Sequence, residues 1–553
     1  MRAPRLLAIG LGLLWLAAWA AEAPTGVGES IYRHGVQGSG APLVGLRASG
    51  GPSAKGSDAA CVNCHQRSGL GTFEGYNLKV TIPPITGLYL FHGRKATTAE
   101  PILPYLEWMH GNRDPYTEAT LARAIREGVD SQGRPLSYLM PHFALNDADM
   151  ASLIDYLKKL DAQSAPGVTD TMMHFATVIT PDVDPAKRRA MLDVMEHYFA
   201  DKNQFPIAPS RQLRTSGKTE YAKSMFHNFR RWQLHVWDLT GPASAWQAQL
   251  QQHMSKEPVF ALVSGLGGSN WAPVHEFCEK AAVPCLFPNV DVPVDNASDF
   301  YPMYLTKGVL LEAELIAQAI AAPVHGQQGG TVQQVYRAGD SGEAGASALA
   351  AALKAHGIAA RSTVLPAGPV GQGIAATMPD AVRGLPNGSV LVLWLRAGDL
   401  AALGEASSAP ATVYVSGLMG GLERSPLPPS WRSRTKMAYP FDLPENRDLR
   451  LRYALSWFSI RHIPVVDEPL QVDTYLACGL LAETLSHMAD NLVQPFIVEM
   501  LQSKVERRLF NTGYYPRIVL GWNQHFVSKG GYIVHFAEPA GIRLVADSDW
   551  VVP

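Results

Sequence analysis

The chain has 553 residues, of which 47% are hydrophobic and 17% charged, and its formal net charge is −2. The length indicates about three or four domains of ordinary size, and the hydrophobic share allows sizeable cores. A charge balance near zero excludes a basic surface for nucleic acid or anionic lipid, so neither is expected as a partner.

Residues 1–20 have the pattern of a secretory signal peptide. Arg2 and Arg5 precede an apolar run over residues 6–19, which ends in the small-residue sequence Ala-Trp-Ala. The run is shorter than the roughly 20 apolar residues of a spanning helix, so cleavage is favoured over a retained anchor. No later segment has the length and apolarity of a span. We therefore expect a periplasmic protein with no membrane span after cleavage.

The sequence Cys61-Val62-Asn63-Cys64-His65 carries the clearest chemistry in the chain. In an exported protein, Cys-x-x-Cys-His is the attachment site of a c-type haem, with two thioether links and an axial histidine. The alternatives are a disulfide, a thioredoxin-like pair or half of a zinc site. No second ligand pair follows at zinc spacing, and no βαβ pattern surrounds the motif. We predict one covalent haem c, held by Cys61 and Cys64 with His65 on the iron.

Met140 is the predicted second axial ligand. It lies in an irregular loop, and the neighbouring Pro141 stiffens the chain there. A lone methionine is more often core filler, but a low-spin haem needs a sixth ligand. The competing ligands are His142, His110 and His92. An iron with both axial positions filled favours an electron carrier over an enzyme.

Three features occur in order along residues 25–162: Gly28-x-x-x-Tyr32, then Cys61-x-x-Cys64-His65, then Met140-Pro141 ahead of a helix ending Asp155-Tyr156-Leu157. This order resembles class I cytochrome c. The resemblance implies an all-α electron-transfer domain with one haem. The long loop before Cys61 and the apparent insertion over residues 91–113 depart from the family pattern, so the choice of redox partner does not follow from it.

After residue 171 the pattern changes to alternating strands and helices, which indicates parallel sheets covered by helices. Two such alternations flank the glycine-rich residues 326–330, where we predict a hinge near 323–330. Two αβ lobes joined at a hinge resemble a type I periplasmic substrate-binding protein of the branched-chain amino-acid group, as used by ABC transporters. The resemblance implies a two-lobed α/β fold over residues 171–553, with a small-molecule ligand between the lobes.

Candidate ligand contacts lie where strands end: Ser264, Ser269, Asn270, Asn289 and Ser416. The glycine-rich segment 264–270 resembles the gripping loop of that family, which lies after a strand and at a helix N-terminus. Backbone N–H groups at a helix N-terminus attract anions, so this position suits a charged ligand. An equally good interpretation is a glycine-rich turn in which Ser269 caps the next helix. The glycine spacing fits neither a Rossmann turn nor a Walker loop.

Cys278 and Cys285 stand near the end of a helix and on the strand that follows it. An oxidising compartment and a short connecting turn allow a disulfide between them, and two buried thiols are the alternative. Cys478 lies in an apolar run and is predicted to be a core residue.

These features predict a periplasmic electron carrier, with a fused module that binds a solute or docks the haem domain onto a redox partner. A quinoprotein alcohol dehydrogenase is one such donor. The alternative is a haem-containing solute or redox sensor, or a transport receptor, which requires an open or labile sixth iron position. A peroxidase-like enzyme ranks third, because the chain has no second Cys-x-x-Cys-His.

Overall fold

The computed structural model describes residues 26–47, 53–74, 80–92, 113–160, 165–204, 230–322, 331–383, 385–386, 388–404, 412–488, 491–508 and 512–553. These residues form two compact units, one up to residue 160 and one from residue 165 onwards. The predicted signal peptide and the predicted hinge lie outside the described residues. Among the described helices, none combines the length and apolarity needed to pass through a bilayer.

The N-terminal unit is built on five helices: α1 (Val27–His34), α2 (Val62–His65), α3 (Gly87–Phe91), α4 (Glu118–Glu127) and α5 (Asp147–Lys159). Thr117 caps α4 through the N–H of Thr120, and Asn146 caps α5 through the N–H of Asp149. Helices α1 and α5 cross at Gly28, where a Cβ atom would overlap the carbonyl oxygen of Ser152. Glycine is therefore required for this close helix crossing.

The N-terminal unit also contains short strands: β1 (Val44–Leu46), β2 (Ala54–Lys55), β3 (Thr72–Glu74), β4 (Val80–Ile82) and β5 (His142–Phe143). Strand β1 pairs antiparallel with β2 and β5, and β3 pairs antiparallel with β4. The expectation of an all-α domain is therefore not confirmed. The connections between helices are rich in glycine and proline, which disfavour helix, and their backbone groups pair in short ladders instead.

The first lobe of the C-terminal unit is a parallel sheet: β6 (Met172–Ile179), β7 (Arg231–Asp238), β8 (Ala261–Val263), β9 (Leu266–Gly267), β10 (Cys285–Leu286), β11 (Asn289–Val290) and β12 (Pro302–Met303). The strand order is β11-β9-β6-β8-β10-β12, and β7 also pairs with β6. Within the described residues, three helices occur between these strands: α6 (Pro185–Asn203), α7 (Trp246–Lys256) and α8 (Ala272–Lys280). The predicted alternation of strands and helices is confirmed here.

The second lobe has a seven-stranded sheet: β13 (Val332–Arg337), β14 (Ala360–Leu365), β15 (Val390–Trp394), β16 (Thr412–Ser416), β17 (Thr435–Tyr439), β18 (Tyr532–Phe536) and β19 (Leu544–Ala546). Pairing is parallel as far as β17, and β18 and β19 add antiparallel strands. The helices are α9 (Val309–Ala321), α10 (Ser341–Ala355), α11 (Ile374–Val382), α12 (Ala397–Ala401), α13 (Gly417–Gly420) and α14 (Pro429–Arg432).

Three more helices follow β17: α15 (Pro444–Ile460), α16 (Glu468–Met488) and α17 (Gln494–Arg508). Helix α16 packs on α6 and β11 of the first lobe, so the chain returns there before forming β18 in the second. Backbone bonds join the connecting segments: Tyr304 donates to the carbonyl of His525 at 2.7 Å, and Asp442 to that of Tyr514 at 2.8 Å. Within the described residues, the segments near 304, 442 and 525 thus connect the lobes.

Candidate functional site

Helix α2 places the two thiols of the Cys-x-x-Cys-His motif one helical turn apart. Cys61 immediately precedes α2, and the N–H of His65 donates to its carbonyl oxygen at 2.9 Å. Positions three apart in a helix lie on the same side, so Cys61 and Cys64 face one direction. Cys61 is half-buried against the apolar core of the unit, and Cys64 is exposed. This arrangement suits attachment along one edge of a flat macrocycle.

The His65 ring is held in one orientation. It is 6% exposed, and its Nδ1 atom lies 3.0 Å from the carbonyl oxygen of Pro83. A carbonyl oxygen only accepts, so Nδ1 carries the hydrogen and donates it in this bond, which leaves Nε2 available to bind a metal. Burial lowers the pKa of His65 to about 4, so the ring is neutral at neutral pH, the form that binds metal ions.

The loop after α2 is fixed by its neighbours. Tyr32 on α1 is fully buried and donates its hydroxyl to the carbonyl oxygen of Gln66 at 2.6 Å. Gln66 itself has a φ of 70°, which is uncommon for a residue with a side chain. The N–H of Gly71 then donates to the carbonyl of His65 at 3.1 Å. These bonds hold the chain around the histidine, and Tyr32 belongs to the Gly-x-x-x-Tyr pattern.

Met140 is half-buried and packs against the same apolar core as Cys61. Its N–H donates to the carbonyl of Ser137 at 2.9 Å, which fixes the loop before Pro141. Among the rivals, His142 pairs in β5 and its ring lies against Gly128, and His92 is exposed. His110 lies outside the described residues. Met140 therefore stays the predicted sixth ligand. The donor set of two thiols, one oriented imidazole and one thioether fits a haem c.

The glycine-rich segment 264–270 is packed inside the first lobe and is not a simple loop. Residues 266–267 form β9, which pairs with β6 and β11. Added Cβ atoms on Gly265 and Gly267 would lie 2.5 and 2.6 Å from the ring of Trp271. Trp271 is buried. The two glycines therefore make room for this indole ring, which gives their spacing a structural reason.

The fold brings Ser264 and Asn289 together, and their side chains hydrogen-bond to each other. Asn289 donates its amide to Ser264 Oγ at 2.9 Å, and Ser264 Oγ donates to Thr474 Oγ1 at 3.1 Å. Ser264 is buried with a φ of 47°. Thr474 comes from α16 and was not predicted, because a threonine within an apolar helix gives no signal in the sequence.

At the other end of the segment, Asn270 rather than Ser269 bonds to the start of α8. Asn270 Oδ1 accepts the N–H of Ala272 at 3.2 Å. Asn270 is exposed and Ser269 is half-buried. The N-cap position of α8 is Trp271, which makes no side-chain capping bond, so the structure does not show the alternative interpretation in which Ser269 caps the helix.

The side chain of Ser416 is hydrogen-bonded to a glutamate side chain of the same protein. Its hydroxyl donates to Glu312 of α9, and the N–H of Leu418 donates to the other oxygen of Glu312 at 2.9 Å. Both Ser416 and Glu312 are fully buried. Burial raises the pKa of Glu312 to about 8, although these hydrogen bonds act in the opposite direction. Ser416, a predicted solute contact, is thus bonded to Glu312 together with the N–H of Leu418.

An ion pair joins the two lobes where their strands end. Arg396 follows β15 of the second lobe, and its guanidinium lies 2.7 Å from Asp291, which follows β11 of the first lobe. The same guanidinium lies 2.6 Å from Asp340, and Ser341 Oγ donates to Asp291 at 2.9 Å. The carboxyl ends of parallel strands are where such folds bind ligands, so this cluster spans the candidate cleft.

Cys278 on α8 and Cys285 on β10 are both buried and are not joined in the structure. The two thiols lie within hydrogen-bonding reach, and burial raises the pKa of Cys278. The disulfide stays a prediction. Cys478 is fully buried, as a core residue would be.

Comparison with known proteins identifies the two units separately. Residues 53–161 match the family model described as cytochrome c. No match was found among curated proteins.

Solved structures resemble the second unit. A branched chain amino acid ABC transporter protein from Thermus thermophilus with bound valine is 13% identical, with a TM-score of 0.50 over 70% of this chain and 98% of that chain. A fatty acid ABC transporter substrate-binding protein from Thermomonospora curvata is 14% identical, with a TM-score of 0.48 over 71% and 95%. Likeness at such identity shows the fold alone. The protein therefore carries a cytochrome c domain ahead of a two-lobed α/β fold like that of type I periplasmic binding proteins.

Proposed function

We propose that this protein is a periplasmic electron carrier with one haem c, bonded to Cys61 and Cys64 and ligated by His65 and Met140. The observation that carries the proposal is the His65 ring, which Pro83 fixes through Nδ1 beside two thiols one helical turn apart. When bound, the haem supplies a one-electron couple between Fe(II) and Fe(III). With both axial positions filled by side chains, no position remains for a substrate.

The surrounding residues support this role by holding the ligands still. Pro83 orients the imidazole, and the bond from Tyr32 to Gln66 fixes the chain that follows it. Pro141 limits the conformations of the Met140 loop. Fixed ligands and a dry apolar core reduce the rearrangement that accompanies a change of one charge.

We further propose that the second unit docks the cytochrome domain onto a redox partner, such as a quinoprotein dehydrogenase. Support comes from the internal bonds of the predicted solute contacts: Ser264 and Asn289 bond to Thr474 or each other, and Ser416 bonds to Glu312. A ligand held by these groups would first have to break those bonds. The alternative, a haem-containing solute sensor or transport receptor, rests on the fold likeness.

Absorption spectra of the haem-loaded full-length protein test the first proposal. We expect a weak long-wavelength band in the oxidised form, which reports sulfur ligation, and no rapid binding of CO to the reduced form. Rapid CO binding would contradict the proposal and favour the sensor alternative.

A thermal-shift screen with amino acids, short organic acids and alcohols tests the docking role. A silent screen, together with rapid reduction of the haem by a periplasmic quinoprotein alcohol dehydrogenase, is the expected result. A solute that raises the melting temperature of the second unit would assign it to solute binding.

A further inference from the structure

The long loop before Cys61, which departs from the class I pattern, contributes two strands to a small sheet. Residues 44–46 form β1, and residues 54–55 form β2. Strand β1 lies in the middle of the order β2-β1-β5. Because β5 begins two residues after Met140, the sheet connects the chain ahead of the haem motif to the predicted sixth ligand.

The pairing of β1 with β5 fixes the chain just after Met140. Gly45 of β1 pairs with Phe143 of β5 in an antiparallel register. Pro141 has no N–H group, so it adds no donor to this ladder. The loop is held on its other side by the N–H of Met140, which donates to the carbonyl oxygen of Ser137 at 2.9 Å. The position of Met140 therefore depends on β1 as well as on its own loop.

Gly45 is the point at which β1 meets the proline. A Cβ atom on this buried glycine would lie 3.0 Å from Pro141 Cβ and 3.0 Å from Phe143 Cε1. Carbon atoms in ordinary contact are about 3.5–4.0 Å apart, so a side chain here would push its neighbours aside. Phe143 is 5% exposed and packs in the apolar core that Met140 also contacts. Displacement of Pro141 would move the adjoining Met140.

The same sheet is anchored beside the attachment motif. Strand β2 runs directly into the helical turn Gly56–Ala59, and the N–H of Gly56 donates to the carbonyl oxygen of Leu43 at 2.8 Å. Asn63, inside the Cys-x-x-Cys-His motif, donates its amide to the carbonyl oxygen of Ser57 at 2.7 Å. Through this turn, the sheet links the chain that carries the thiols to the loop that carries Met140.

We infer that the sheet β2-β1-β5 is a positioning element that keeps the Met140 thioether at the iron, and that Gly45 is its critical residue. The inference rests on the proposed ligation by Met140. A thioether is a soft ligand that favours Fe(II), so the fold must hold it in place in the oxidised protein. The lengthened chain before Cys61 supplies that support.

Gly45→Ala and Gly45→Val in the haem-loaded full-length protein test the inference. The added methyl groups should displace Pro141, so that Met140 leaves the iron more often. We expect Gly45→Val to raise the rate of CO binding to the reduced protein about tenfold, and Gly45→Ala to raise it less, because the cost of overpacking grows with each added group. The long-wavelength band of the oxidised protein should weaken in the same order, and the haem potential should fall.

Leu46→Val is the matched control. Leu46 follows Gly45 in β1 and is 56% exposed, so this change keeps a strand-forming residue outside the core. It should leave the band and the rate of CO binding as in the wild type. Haem staining of the denatured variants should be equal, because the thioether links are unchanged. Circular dichroism checks that each variant is folded, and Gly45→Ala decides the outcome if Gly45→Val does not fold.

Two results would overturn the inference. A folded Gly45 variant that is less stable in urea, but keeps both the band and the slow CO reaction, would show that Gly45 has a packing role alone. A wild type that lacks the band would contradict ligation by Met140, and with it both the role of the sheet and the proposed electron carrier. The spectrum of the wild type thus distinguishes the two failures.

Discussion

The turn at Cys61–His65 and the segment Ser264–Asn270 use their polar atoms in opposite ways. In the turn, the carbonyl oxygen of Pro83 binds one ring nitrogen of His65, and the other nitrogen is left for the proposed bond to iron. In the segment, Ser264 is bonded on both sides to Asn289 and Thr474, and the glycines accommodate Trp271. A site for an external group needs donor atoms that the fold orients but does not use in hydrogen bonds of its own. The first region meets this condition, and the second is built as part of a core.

The largest expected effect separates these regions directly. Replacing both Cys61 and Cys64 with alanine should abolish covalent haem, because no thioether link can form. Haem staining of the denatured protein measures the loss. Ser269→Ala, in the other segment, is the control and should leave the haem stain unchanged. Haem that stays bound to the double variant after denaturation would contradict the attachment site.

The second effect concerns the sixth ligand. Met140→Ala should remove the long-wavelength band of the oxidised protein and allow CO to bind the reduced protein, because one iron position opens. His142→Ala is the matched control in the same loop and should keep the band. A wild type without this band, in which His142→Ala but not Met140→Ala lets CO bind, would assign the ligand to His142.

The third prediction concerns the carboxylate that occupies the second-lobe turn. Burial raises the pKa of Glu312 to about 8, so the folded state holds its proton more tightly than the unfolded state. Stability should therefore fall as pH rises from the unfolded pKa towards 8, by on the order of 4 kcal/mol. Glu312→Gln should flatten this part of the pH profile, measured by thermal unfolding. Glu445→Gln, an exposed residue, should leave it unchanged.

The fourth prediction tests the structural role of the glycine-rich segment. Gly265→Ala should destabilise the second unit by about 1–3 kcal/mol, because the added methyl group overlaps the buried Trp271 ring. Urea unfolding followed by tryptophan fluorescence measures the change. Gly404→Ala has no atom within 4 Å of its added Cβ and should be neutral. If Gly265→Ala left the free energy of unfolding unchanged, the packing role would be contradicted and ligand binding would remain as the explanation for that glycine.

The smallest effect is expected at the ion pair between the lobes. The Arg396 side chain is 30% exposed, so solvent weakens the pair, and Arg396→Gln should cost about 1 kcal/mol or less. Arg396→Gln should also let the two lobes move apart, which small-angle scattering measures as an increased radius of gyration. Arg383→Gln removes an exposed pair with Asp380 within the second lobe and should change neither quantity.

Much of the fold follows from local patterns in the sequence. The strand at Val332–Arg337 forms from an apolar run, and Thr117 and Asn146 cap their helices, because apolar runs and capping residues act over a few positions. Strand β17 and helix α17 were not predicted. The short strand mixes polar and apolar residues, and one of its two neighbours in the sheet, β18, comes from a distant part of the chain.

The candidate site divides in the same way. The proposed haem attachment at Cys61, Cys64 and His65 comes from a short sequence motif, because the covalent chemistry demands one. Met140 as the sixth ligand stays a prediction. The hydrogen-bond partners within the second unit were not predicted: Ser264 bonds to Thr474 over 210 positions, and Glu312 bonds to Ser416 over 104. No local sequence pattern predicts such long-range pairs. Ser264 follows β8 and Ser416 ends β16, as the predicted strand ends require, whereas Asn289 begins β11. The sequence gives no sign that the side chains of all three are hydrogen-bonded within the fold.

The interleaved path of the second unit has a consequence for how the molecule forms. Strand β17 completes its pairing only with β18, after the whole helical stretch α15–α17 has returned to the first lobe. Neither lobe is therefore one uninterrupted stretch of chain, whereas the described haem-motif unit ends by residue 160. Contacts between distant segments slow folding. In newly made protein the haem-motif unit should thus fold early, while both lobes of the larger unit are completed only after the last strands have formed.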